Sequence, residues 1–269
     1  MQLGISSFTY GWNIGVADHM PDQPMNEMDL VQQTVDFGLH CLQIGDNLPL
    51  HTFDTARRER LKNAVTANQI RIEIGARKLD AENLKTYIDL AAYFKSPLLR
   101  FVIDGTDYEP DNDTVKKIIT AHLPQLIDNN ITLAIENHDR LKSAALAELM
   151  KAIDHPHVGI CLDCVNSVGA GEGLEQVATV LAPYTVNLHI KDFKATRLPH
   201  KMGFIIDGEI AGKGLLQLNW LLAQIENYKR CETAILEQWV PPENELSLTC
   251  DKEKRWAAGS IHYLQSVFK

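Results

Sequence analysis

The feature that most constrains this chain is an alternation of two periods. Eight short β-like runs occur at residues 3–8, 41–44, 70–74, 98–103, 131–135, 158–162, 186–190 and 234–236. Between them, apolar residues recur with a spacing near 3.6, as in Leu84-Tyr87-Ile88-Ala91-Ala92 and Val115-Ile118-Ile119-Leu123-Leu126-Ile127. Strands that alternate with helices pair in parallel, because each crossover helix carries the chain back to start the next strand in the same direction. Eight βα units predict closure into a (β/α)8 barrel, whereas fewer would leave an open, doubly wound sheet. No Pro-, Gly- or Ser-rich linker divides the 269 residues, so a single barrel domain over 1–269 is expected.

Composition narrows the function classes. With 45% apolar residues the chain has material for a sizeable core, and its net charge of -9, without a run of Lys and Arg, disfavours nucleic acid as a partner. No segment reaches the roughly 18 apolar residues of a membrane span. The N-terminus, Met1 to Phe8, reads as a strand rather than a signal peptide. Five scattered cysteines argue against a disulfide framework, so a cytoplasmic location is expected. The C-x-x-C spacing of Cys161 and Cys164 has no second pair and reads as structural.

The chemistry sits where the apolar runs end. Glu136 follows Leu133-Ala134-Ile135, Asp163 follows Gly159-Ile160-Cys161-Leu162, His189 closes Val186-Asn187-Leu188, and Glu237 follows Ala234-Ile235-Leu236. The C-terminal strand ends of such a barrel converge on one mouth. One acidic residue at a strand end is commonly a loop anchor; four titratable groups on strands five to eight predict a shared site. Three unpaired carboxylates there would repel one another and raise their pKa values, and a divalent cation removes that penalty. An O,O,O,N donor set favours Mn2+ or Mg2+, with Co2+ or Zn2+ as alternatives.

Residues 191–214 show no clear periodicity, and an unstructured loop of that length is expected to work as a lid or binding loop. Lys191, Arg197, His200 and Lys201 supply it with positive charge suited to a carboxylate, although a solvated basic loop would read the same way. The glycines of Gly208 to Gly214 lack a P-loop's spacing and are expected to shape the return into the next helix. Asn47 and His138 follow strand ends and are candidates for substrate contact. Arg100 is expected to point into the barrel and pair with Glu73, and Trp12 and Phe204 to offer an apolar wall.

The motifs IEN (Ile135–Asn137), LDCVNS (Leu162–Ser167), HIKDF (His189–Phe193) and LEQW (Leu236–Trp239), in this order and register, resemble the xylose isomerase-like TIM-barrel superfamily of sugar isomerases and epimerases. The resemblance implies a metal held by Glu136, Asp163, His189 and Glu237, with Glu136 and Glu237 as acid and base on a bound sugar. Many relatives carry a His shortly after the metal-binding Asp; here Asn166 and Ser167 occupy that region, which leaves substrate contacts there open. The segments FTYGWNIGV, DNLPL and KDF…R..HKMGF…G..AGKG further resemble the subgroup that includes 3-oxo-isoapionate decarboxylase. The resemblance implies decarboxylation of a 3-oxo sugar acid through a metal-stabilised enediolate. An isomerase or epimerase of a free ketose shares that intermediate and is the alternative. An endonuclease IV-like DNA repair enzyme would need more histidines and a basic groove, and a non-catalytic sugar-binding barrel would not need all four ligand positions. The expected partner is a small sugar or sugar acid, with homo-oligomerisation left open.

Overall fold

The computed structural model describes residues 1–268. Among the described residues ten strands form: β1 (Gln2–Ser6), β2 (Cys41–Ile44), β3 (Arg71–Arg77), β4 (Leu98–Val102), β5 (Thr132–Glu136), β6 (Val158–Leu162), β7 (Thr185–Ile190), β8 (Phe193–Arg197), β9 (Phe204–Gly208) and β10 (Thr233–Leu236). Eight of them close in the order β1-β10-β7-β6-β5-β4-β3-β2, all parallel, with helices outside. The expected (β/α)8 barrel is the fold. Among the described residues no helix is long and apolar enough to cross a membrane.

The barrel strands are buried on both faces, which is why they read as short continuous apolar runs. The outward face packs against helical stripes such as Leu84, Tyr87, Ile88, Ala91 and Phe94 of the helix Ala81–Phe94. Inside, a polar layer crosses the barrel. Gln43 Nε2 donates to Glu73 (3.1 Å) and Asn187 (3.2 Å), Asn187 Nδ2 donates to Thr233 Oγ1 (2.7 Å), and Thr233 Oγ1 donates to Glu73 (2.9 Å).

The structure corrects four sequence expectations. First, β1 stops at Ser6 rather than running to Phe8. The Ser6 hydroxyl accepts the Phe8 N–H and the Ser6 N–H is taken by Thr9 Oγ1, a capping box that turns Ser7–Tyr10 into a 3-10 helix. Second, β3 runs on to Arg77, because Ile74 to Arg77 continue to pair with Leu99 to Val102. Third, Arg100 does not pair with Glu73. It lies level with Gly75, one inward-facing layer nearer the mouth, where the missing side chain leaves room for its stem. Its partners are Glu136 and Asp46, while Glu73 pairs with Arg71 at 3.1 Å.

Fourth, residues 191–214 are not structureless. They hold the antiparallel hairpin β8–β9, with Lys201 (φ 64°) and Gly203 (φ 139°) in its tip. The hairpin stands off the barrel with both faces largely solvated, so no half-buried period marks it. Its base is clamped by the buried Asp192 carboxylate, which accepts the N–H groups of Phe193 and Leu216 on one oxygen and of Gly212 and Gly214 on the other, at 2.8–3.0 Å. The glycines of this return therefore do shape it: a Cβ at Gly214 would collide with Asp192. Replacing Asp192 by Ala leaves these donors without an acceptor. We expect the D192A variant to lose roughly 3 kcal/mol of stability in chemical denaturation and to become sensitive to trypsin at Lys194, Arg197 and Lys201.

Candidate active site

Glu136 ends β5, Asp163 follows β6, His189 lies near the end of β7, and Glu237 follows β10. All four are buried at one end of the barrel. His189 Nδ1 lies 3.4 Å from Glu237 Oε1 and 3.6 Å from Glu136 Oε2. Single donor atoms of Asp163, His189 and Glu237 fall within 4.8 Å of one another, and so do those of Glu136, Cys161 and His189. The structure thus brings the four strand-end residues into one cluster. The Cys161 thiol is buried there too, 3.0 Å from Asn187 Oδ1, and burial, reinforced by Glu136, pushes its pKa well up.

The carboxylates are not left unpaired, which corrects a premise of the sequence reading. Lys191 Nζ lies 2.8 Å from Asp163 Oδ2 and 3.1 Å from Glu237 Oε2. Arg100 pairs with Glu136 through Nε and with Asp46 through Nη1 at 2.9 Å. Asn166 bridges the two halves, donating to Glu136 Oε1 (2.8 Å) and accepting from Lys191 Nζ (3.3 Å). Asn137 accepts the Asp163 N–H and donates to the Asp163 carbonyl, which sets the turn after β6. Burial alone would push the Glu237 carboxyl up, but His189, Lys191 and Arg100 outweigh it and hold the pKa at about 2. Burial would likewise lower the Lys191 pKa, yet Asp163, Glu237 and Glu136 raise it above the ordinary lysine value.

Whether these residues suit a cation turns on His189. Its Nε2 meets Gln43 Oε1 at 2.8 Å. The Gln43 amide is oriented by donating to Glu73, so its oxygen faces the imidazole and Nε2 carries the proton. Nδ1 is buried with no hydrogen-bond partner and faces two carboxylates. That arrangement is unfavourable without positive charge between the groups. A metal-ligating imidazole has this pattern, with the far nitrogen donating to a fixed acceptor. Three carboxylates and one imidazole nitrogen at these separations fit a divalent cation.

Above the cluster opens a cavity of 330 Å³, with Glu136 and Glu237 in its lining. Of the residues singled out for substrate contact, His138, Asn166 and Lys191 line it. Asn47 does not; its amide is tied to Ser7 through Oδ1 (2.5 Å) and Nδ2 (3.1 Å). Arg197, His200 and Lys201 lie at the hairpin tip, where Arg197 donates to the Lys201 carbonyl and stacks on the exposed Phe204. Trp12 borders an adjoining groove with Trp239. Four further residues belong to the site. Phe8 and Trp239 wall the cavity, Arg77 enters it from the end of β3, and Asp46 pairs with both arginines. Asp46 carries the same sequence signature as the candidate ligands, a charge just after the Leu42-Gln43-Ile44 run, and Arg77 would have shown it had β3 been drawn to its full length.

The family model for xylose isomerase-like TIM barrels matches residues 31–266. The chain belongs to the xylose isomerase-like TIM-barrel family. Over 264 residues it is 30% identical to 3-oxo-isoapionate decarboxylase of Pectobacterium atrosepticum, spanning 98% of this chain and 95% of that protein. Similar folds include a xylose isomerase-like TIM-barrel protein from Mycobacterium smegmatis in complex with magnesium, with a TM-score of 0.70 at 14% identity over 97% of each chain. They also include D-psicose 3-epimerase in the presence of D-fructose, with a TM-score of 0.72 at 11% identity over 98% of this chain and 97% of that one. At such identities these structures establish the fold alone. The family resemblance read from the IEN, LDCVNS, HIKDF and LEQW motifs therefore holds.

Two outcomes follow from this geometry. Replacing Gln43 by Ala releases the imidazole, and we expect Mn2+ affinity, measured by titration calorimetry, to fall about 10–100-fold. The Glu237 pKa lies below the ordinary carboxyl value of 4.5, so its ion pairs stabilise the fold fully above that pH and are lost as pH falls toward about 2. Chelator-treated protein should lose stability across that window, and the E237Q variant should show a shallower acid limb.

Proposed function

We propose that this protein is a divalent-metal-dependent decarboxylase of carbohydrate catabolism that takes a 3-oxo sugar acid, 3-oxo-isoapionate or a close analogue. The observation that carries the reading is the stacking of two features: four buried donors fit for a cation, and directly above them a cavity lined by Arg77, Arg100 and Lys191. Glu136, Asp139 and Glu237 line it too, and the part-exposed Arg77 supplies the positive charge that suits an anionic sugar better than a neutral one. The identity with a 3-oxo-isoapionate decarboxylase along almost the whole chain supports the same reaction. The five free cysteines suit the reducing cytoplasm.

Glu136, Asp163, His189 and Glu237 would hold the metal. When bound, a divalent cation polarises a substrate carbonyl and offsets the charge of an enediolate. The remaining work falls to side chains. Phe8 and Trp239 cover apolar faces of the sugar and exclude water. Lys191 and Arg100 pair with Glu237 and Glu136 and fix their direction. When the C–C bond to the carboxylate breaks, its electron pair passes into the adjacent carbonyl system and CO2 departs. The resulting carbon then takes one proton, which Glu136 or Glu237 delivers after accepting it from a substrate hydroxyl or solvent.

Because both glutamates border the cavity, the same frame also suits proton transfer at a C–H bond, as a ketose epimerase requires. Substrate charge separates the two. We expect CO2 release from 3-oxo-isoapionate with Mn2+ or Mg2+, loss of turnover with EDTA, and a kcat lower by about 10²–10⁴-fold in the E136Q variant. Solvent deuterium entering D-psicose without any CO2 release would instead favour the epimerase reading.

A further inference from the structure

We infer that Arg77 is the carboxylate-binding residue of this cavity, a subsite for the acid group of a sugar acid. The inference rests on the sugar-acid reading of the same site and deepens it by naming the residue that makes the selection.

Three cationic side chains line the cavity, and two of them are already committed. The Arg100 side chain is 4% exposed and divides its guanidinium between Glu136 and Asp46. The Lys191 side chain is 7% exposed, and its ammonium is surrounded by Asp163, Glu237 and Asn166. A ligand carboxylate would have to displace buried partners to reach either. Arg77 is different. Its side chain is 37% exposed, and its one carboxylate contact, Nε to Asp46 Oδ2, is long at 3.3 Å. Asp46 also serves Arg100, so its charge is shared between two guanidiniums. Arg77 thus carries the positive charge within the cavity that remains available to a ligand.

The guanidinium is also aimed. Asn83 Nδ2 donates to the Arg77 carbonyl at 2.7 Å and fixes the end of β3. His138 Nδ1 lies 2.7 Å from Asp139 Oδ2. Arg77 Nη2, which can only donate, lies 3.3 Å from His138 Nε2. Held from two sides by weak contacts, the planar fork retains N–H groups for a carboxylate, and an Arg–carboxylate pair is charge-assisted. The half-exposed setting suits decarboxylation. The carboxylate loses its charge as CO2 forms, so a strong buried ion pair would stabilise bound substrate more than the transition state. A partly solvated pair selects the acid with a smaller penalty of that kind.

The test compares a five-carbon sugar acid with its neutral counterpart. D-xylonate and xylitol are titrated calorimetrically into the full-length, Mg2+-loaded protein. We expect xylonate to bind at least about tenfold more tightly than xylitol. The R77Q variant should bring that ratio close to one while leaving xylitol affinity and the thermal midpoint in place, and R77K should recover part of it. A ratio that persists in R77Q, or a wild-type protein that does not prefer the acid, overturns the assignment. Absence of CO2 release from 3-oxo-isoapionate counts against the decarboxylase reading alone; the subsite stands if R77Q still removes the preference for xylonate.

Discussion

The mouth of this barrel depends on the neutralisation of carboxylates that the strand ends force together. Burying an ionised carboxylate costs several kcal/mol unless it is paired and hydrogen-bonded. Here each deep cation serves two acids: Arg100 joins Glu136 to Asp46, and Lys191 joins Asp163 to Glu237. With Arg77 and Asp139 added, five acids meet three cations, a formal excess of two negative charges. A divalent metal offsets that excess.

The support for this arrangement comes from the layer beneath it. Glu73, Gln43, Asn187 and Thr233 form a hydrogen-bonded floor drawn from four strands. Through Gln43 the floor fixes which nitrogen of His189 carries the proton. Arg71 pairs with Glu73, so the floor has its own counterion and does not draw on those of the mouth. Gly75 separates the two layers on the β3 side by leaving space for the Arg100 stem. A side chain there would press on Arg100 and disturb its bridge between Glu136 and Asp46.

Much of this was readable in the sequence, for a definite reason. A parallel strand buried on both faces is a short apolar run, and its C-terminal end is where a barrel turns polar. Glu136, Asp163, His189 and Glu237 each stand at such a boundary, so their convergence followed once eight units were counted. Arg77 was harder to see, because Gly75 and Ala76 dilute the apolar signal and the strand seemed to end at Ile74. The counterions were not legible, because pairing across strands depends on register: Arg100 is level with Gly75, not with Glu73. The hairpin β8–β9 escaped notice because a ribbon wetted on both sides imposes no alternation on its residues. Arg197, His200 and Lys201 were drawn toward the site by charge and nearness in sequence, and the fold carries them to the ribbon's far end.

The Asp192 clamp has a consequence for how this chain tolerates change. His189, Lys191 and Asp192 lie within four consecutive residues, so the candidate ligand, the ammonium beside it and the anchor of the ribbon share one rigid stretch of backbone. The anchor closes a ring of main-chain contacts at the ribbon's base, from Phe193 to Leu216. Beyond that ring the ribbon meets the mouth along the groove where Ile206 and Asp207 lie beside Phe8 and Trp239. Lengthening, shortening or replacing residues 198–203 would alter what the protein displays to its surroundings while the anchor at Asp192 keeps its main-chain contacts.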